Sequence, residues 1–350
     1  VAMVALVVVL GVGLVVVLRG YLSTPSGGAG GTSGGGGSGG LSGPRAGGST
    51  VAPGRLAPHE TATFDTAQKA LAAQEYAKAA AILTRLLEDD PDAVADPAVN
   101  LALAEALLGE QDYEGAYRQF ERVLAIEGGK ASPVLHFQAG TVAAKAGRLD
   151  RAEEHYSMAQ SGDASRVEYP LYLAMVQLRQ GKTEPGVANL LRAIKLDPEC
   201  AEAYGTLAEV YLRDNKLEIA MPNIARARAL QPRLARWRIV EAKILKRQAK
   251  PREALEVLLA MDEADRTSGE ALTVTAECFG MLGMPAEAAG LYISAAKREP
   301  TNAEHHYQAA LWLQRAGREA EALASAKTAS MLGHAGAKEL VGSLAAAGAE

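Results

Sequence analysis

From Ala201 to Pro232 the apolar side chains fall in two short series, Tyr204, Leu207, Ala208 and Tyr211, then Leu217, Ala220, Ile224 and Ala227. Both keep the three-and-four spacing that lines up one face of an α-helix, and neither alternates as a half-buried strand would. Asp214, Asn215 and Lys216 separate the series as a polar turn, and Pro232 closes the stretch where a following helix tolerates proline. The predicted unit is a pair of amphipathic helices joined by a tight turn.

That unit recurs. Small residues return every 34 positions at Gly186, Ala220, Ala254, Ala288 and Ala322, and in phase with them at Ala174, Ala208, Ala242, Ala276 and Ala310. The columns continue upstream through Ala152, Ala116 and Ala79 and through Gly140, Ala104 and Ala67, with the spacing loosened to 36 and 37. A fixed period of this length denotes stacked supersecondary units, and small residues at fixed places mark where two helices cross closely.

Three stretches carry a family likeness: "AYGTLAEVYLRDNKLEIAMPNIARARALQP", "NLALAEALLGEQDYEGAYRQFERVLAIE" and "HFQAGTVAAKAGRLDRAEEHYSMAQ". In these the chain resembles the tetratricopeptide repeat (TPR) family, whose first helix carries a large residue, then Leu-Ala or Leu-Gly, then an aromatic, and whose second helix carries Ala, a bulky residue and Ala before Pro. Five other units match more loosely. Glu241 stands at the usual Leu position of one, and Ala326 at the bulky position of another. The resemblance implies an all-α fold, a right-handed superhelical solenoid of about eight helix-turn-helix repeats over residues 60–333, with a capping helix in residues 334–350. It also implies that the inner surface of the first helices lines a concave groove that holds partner segments.

The other end of the chain differs in kind. Val1 to Leu18 is an unbroken uncharged apolar run, and about 20 such residues suffice to cross a bilayer as a helix. Residues 1–19 are therefore expected to be a retained transmembrane helix; a cleaved secretory signal has a shorter apolar region and a small-x-small cleavage site, which "RGYLSTPS" does not offer. The first residue is Val and not Met, so further residues are expected upstream. Residues 20–58 are rich in Gly and Ser, cannot bury enough apolar surface to offset ordering entropy, and are expected to form a disordered tether.

Composition adds little chemistry. The net charge is −5 and the two cysteines, Cys200 and Cys278, lie more than two repeats apart, too far to bridge in an array whose repeats touch only neighbours. The six histidines are scattered, no Cys-x-x-Cys or His-Glu-x-x-His run is present, and no Gly-x-Ser-x-Gly elbow occurs. No metal, cofactor or catalytic residue is expected, and the chain reads as a non-enzyme.

One charge feature stands out. Between Arg226 and Arg252 ten basic residues face one acid, Glu241, a local balance of +9 that leaves −14 for the rest. By the register of the resemblance, Arg236, Ile239, Lys243, Lys246 and Arg247 would face the groove, together with Phe137, Leu171, Met175 and Tyr307. The pattern has two readings: a solvated basic helix that balances acidic neighbours, or a seat for an acidic protein or peptide partner. The expected function is a bacterial, single-pass, membrane-tethered scaffold or adaptor that mediates protein-protein contacts in assembly or maturation of envelope proteins, its repeats on the extracytoplasmic side. The alternatives are a binder of acidic polymer, nucleic acid or glycan, through residues 226–252, and the docking half of a larger protein with an enzyme upstream; nucleic acid is disfavoured by the lack of stacking aromatics around the basic run.

Overall fold

A computed structural model describes residues 63–347, which fold into helices with no strand among them. The expected transmembrane helix and tether, residues 1–19 and 20–58, lie outside the described residues. Among the described residues no helix is long and apolar enough to cross a membrane.

The chain divides into two compact units at Lys182 and Thr183. In the first, α1 (Phe64–Ala72) pairs with α2 (Tyr76–Asp89), short α3 (Pro91–Val94) leads into α4 (Pro97–Gly109) with α5 (Tyr113–Glu127), and α6 (Pro133–Lys145) pairs with α7 (Leu149–Gly162) before α8 (Glu168–Arg179). The second unit opens with α9 (Thr183–Leu196). The pairs α10 (Ala201–Arg213) with α11 (Leu217–Leu230) and α12 (Ala235–Arg247) with α13 (Pro251–Leu259) follow. After short α14 (Glu263–Arg266) come α15 (Gly269–Met281) with α16 (Pro285–Arg298), α17 (Ala303–Arg315) with α18 (Glu319–Met331), and α19 (Ala337–Ala347).

Local chemistry starts and stops these helices. Asp96, Asp112, Ser132, Ser268 and Asn302 each accept a backbone N–H in the first turn, and Pro97, Pro133, Pro251 and Pro285 sit where a missing N–H costs nothing. The turn inside each pair is one motif used throughout. The second residue beyond each first helix takes a left-handed backbone, at Gln74, Gln111, Gly147, Gly181, Asn215, Ala249, Gly283 and Gly317. The next N–H then reaches back five residues, as from Lys216 to the Tyr211 carbonyl (2.8 Å) and from Lys250 to the Leu245 carbonyl (2.9 Å), which satisfies a carbonyl the helix end would leave bare.

All sixteen residues of the two small columns are buried. Large side chains fill the space between the crossings: Ile82, Leu83, Phe120 and Tyr156 in the first unit, Leu207, Ile224 and Trp237 in the second. The two departures from the family pattern have local answers. Glu241 is 8% exposed and accepts a 2.5 Å hydrogen bond from Arg228 on α11; burial raises its pKa and outweighs the pull of that guanidinium. Ala326 shares a core cluster with Leu340 and Leu344 of α19, so the terminal helix fills the volume a larger residue would occupy. Cys200 and Cys278 are both free.

Candidate functional site

In the second unit the first helices of four successive pairs, α10, α12, α15 and α17, line a cavity of about 680 Å³. It runs from the last turn of α10 (Leu212, Arg213) across α12 (Val240, Lys243, Lys246, Arg247) and α15 (Thr273, Val274, Glu277) to the start of α17 (Asn302, His305). The wall is charge-balanced. Four bases, Arg213, Lys243, Lys246 and Arg247, face four acids, Glu209, Glu270, Glu277 and Glu299.

Most of those charges are already paired across neighbouring repeats. Lys243 donates to Glu270 at 2.5 Å and Lys246 to Glu277. Just outside the lining, Arg236 holds Glu209 with two hydrogen bonds, 2.9 and 2.7 Å, and Glu202 with a third at 2.6 Å. Burial works to lower the Arg236 pKa, but these two carboxylates outweigh it and leave it raised. At the far end the Glu299 carboxylate bonds Asn302 Nδ2 (3.0 Å) and His305 Nε2 (3.1 Å), while His305 Nδ1 is buried with no hydrogen-bond partner among the described residues. Glu299 lies over Gly269, where a Cβ would fall 2.2 Å from its Oε1, so the missing side chain is what admits the carboxylate.

Of the nine residues picked from sequence, Lys243, Lys246 and Arg247 come together in this cavity. Arg236 is partly buried in its acidic clasp. Ile239 needs correction: it packs with Ala242, Leu245 and Val274 in the core and does not line the cavity, whereas its equally buried neighbour Val240 does. Phe137 lies in the first unit, its ring 5.2 Å from those of Tyr169 and Tyr172 and 5.5 Å from Tyr156. Leu171 and Met175 are half-buried on α8. Tyr307 stacks on His334 at 3.9 Å, and His334 bonds Glu304 and the Gly336 N–H at the approach to α19. Arg213, Glu277 and His305 escaped the sequence reading. For the first two the signal was the 34-residue register itself, which places Arg213 one period before Arg247 and Glu277 one period after Lys243; His305 had none.

A second polar cluster joins α5, α6 and α7 of the first unit. His155, 4% exposed in its side chain, contacts Glu121 Oε1 through Nε2 (2.8 Å) and His136 through Nδ1 (3.4 Å). Arg151 bonds Glu121, Glu154 and the Tyr117 hydroxyl. Burial lowers the pKa of both histidines, against the pull of Glu121. No group of three or more His, Cys, Asp or Glu able to hold a metal ion occurs among the described residues.

Residues 70–139 and residues 171–235 each match a tetratricopeptide repeat family model. Over those two segments the chain is similar to tetratricopeptide repeats. The fold of known TPR structures extends the likeness. A TPR protein from Parabacteroides merdae superposes with a TM-score of 0.58 at 16% identity, over 71% of this chain and 98% of that one. Yeast Tom70 gives 0.51 at 16% identity over 79% of this chain and 60% of its own, and Pseudomonas aeruginosa PilF 0.51 at 17% over 60% and 94%. At such identities the shared property is the helical TPR architecture. No curated protein matches the chain. TPR proteins bind protein or peptide partners, and the cavity lies on the first helices, where the family resemblance places the binding groove.

Proposed function

We propose that this TPR chain is a membrane-tethered, non-catalytic scaffold that docks a protein segment along the first helices of its second unit, in assembly or maturation of bacterial envelope proteins. The observation that supports docking is the cavity shared by α10, α12, α15 and α17, a recess whose walls offer hydrogen-bonding groups and apolar patches. Arg236, Lys243 and Lys246 are held by the acids of adjacent repeats, which favours the balancing reading of the basic run and weakens that of an acidic-polymer binder, whose affinity would draw on unpaired positive charge. The tether rests on the apolar run Val1 to Leu18 and the Gly/Ser-rich residues after it, and the extracytoplasmic placement is part of the same proposal.

The test places a photo-crosslinking residue at Thr273, inside the cavity, or at exposed Glu256 on α13, in intact cells, and treats the same preparation with protease. A discrete adduct from the Thr273 position and none from Glu256 is the expected result, with the repeats digested only where the extracytoplasmic face is reachable. Equal labelling from both positions removes the docking role. Recovery of the chain in the fraction free of membrane removes the tether.

A further inference from the structure

We propose that His136 and His155 hold a divalent transition-metal ion of the zinc class between helices α6 and α7 of the first unit, a site independent of the docking role above. The two side chains come from the paired helices of one repeat, and their Nδ1 atoms face each other at 3.4 Å. That is long for a hydrogen bond, so a proton between them is poorly held. It is close to the separation of two imidazole ligands on one ion. Nitrogens 3.4 Å apart, each about 2.0–2.1 Å from zinc, subtend about 110° at it, near the tetrahedral angle. The ring centroids are 5.7 Å apart and the planes tilt by 31°, so the rings meet nearly end to end. A small turn of half-buried His136 brings both lone pairs onto a common point.

The surrounding groups prepare those nitrogens. His155 Nε2 lies 2.8 Å from Glu121 Oε1 on α5; a carboxylate only accepts, so the proton of the neutral ring sits on Nε2 and Nδ1 keeps its lone pair. A carboxylate behind the far nitrogen of a histidine orients the ring as a metal ligand and raises its basicity. Arg151 fixes Glu121 in turn, donating to its other oxygen at 2.8 Å. Two carboxylates, Glu121 and Glu154, surround this one guanidinium, and the negative excess favours an added cation. Burial holds both imidazoles below the ordinary histidine value, so at pH 7 the ion displaces no imidazolium charge. Among the described residues no third ligand completes the group, so water fills the remaining positions. The ion ties α6 to α7, a brace that forms only in the folded repeat.

The test is equilibrium dialysis of Zn²⁺ against the full 350-residue chain, stripped with a chelator and carrying no polyhistidine tag. One ion per chain is the expected uptake, with a melting midpoint that rises with Zn²⁺ and not with Mg²⁺, which prefers oxygen ligands. His136→Ala removes the half-buried ligand and leaves buried His155 in place, so the circular dichroism spectrum should persist while affinity falls about tenfold or more. Glu121→Gln keeps both ligands but no longer sets the His155 tautomer, and should also weaken binding by about tenfold. His334→Ala, which removes a histidine beside a different glutamate, should bind as the parent does. Absence of uptake, uptake that His136→Ala leaves unchanged, or an equal loss in His334→Ala overturns the site.

Discussion

Ala249 sits in the left-handed region at φ 59°, in the place that glycine fills at Gly147, Gly181, Gly283 and Gly317. An L-residue there brings its Cβ toward the following carbonyl, a cost of about 1–2 kcal/mol that glycine avoids, offset in part because glycine leaves a freer unfolded chain. Ala249→Gly should therefore stabilise the second unit by roughly 0.5–1 kcal/mol, read as a higher urea midpoint at unchanged slope. The turn was legible at Asn215, flanked by Asp214 and Lys216, and illegible at Ala249, because the conformation is dictated by the backbone bonds of the helix end and not by residue type. The same scale explains the error at Ile239. One residue along a helix is a rotation of about 100°, so a register off by one position names Ile239, which is absent from the cavity lining, in place of Val240, an equally buried residue that reaches it.

At the scale of the element, helix pairs approach through glycine where a large ring must fit. Trp237 on α12 is fully buried, donates its indole N–H to Gln231 Oε1 at 2.9 Å, and lies against Gly205 of α10, where a Cβ would fall 2.1 Å from the ring. Trp312 of α17 meets Gly280 of α15 in the same way, with 2.2 Å to the ring, but it is only half-buried. Gly205→Ala should lower stability by about 2–3 kcal/mol, since a buried ring has nowhere to move, and Gly280→Ala by about 1 kcal/mol or less. Thermal melts followed by tryptophan emission would separate the two; equal losses would show that exposure of the ring does not set the cost. The small columns that announced the fold belong to this scale. They were readable because a helix crossing excludes volume whatever the neighbours are, whereas the Trp-on-Gly contacts were not, since each joins residues 32 positions apart in different repeats.

For the molecule as a whole, charge governs how it responds to its surroundings. His136 and His155 both titrate below the ordinary histidine value of 6.5, so as pH falls through that value the unfolded chain takes up protons that the folded first unit refuses. Stability present above about pH 6.5 is then lost progressively toward the lower folded values, and His155→Gln should flatten the slope of stability against pH between 7 and 5. Denaturant midpoints of the two proteins across that range check it; parallel curves would refute the role of this histidine. The basic run was visible in the sequence, but the pairing of Arg236, Lys243 and Lys246 was not, because the acids that hold them lie 27 to 34 positions away on other repeats. Only the shared register of Glu202, Arg236 and Glu270, or of Glu209, Lys243 and Glu277, gives the pairing away.

That reversal of sign from one repeat to the next also fixes which repeat can follow which. Were residues 235–268 copied in tandem, the amines of Lys243 and Lys246 would meet an arginine and a lysine of the duplicate in place of Glu270 and Glu277. Lengthening the array at this point would therefore set cation against cation, and the order of its middle repeats is written in charge.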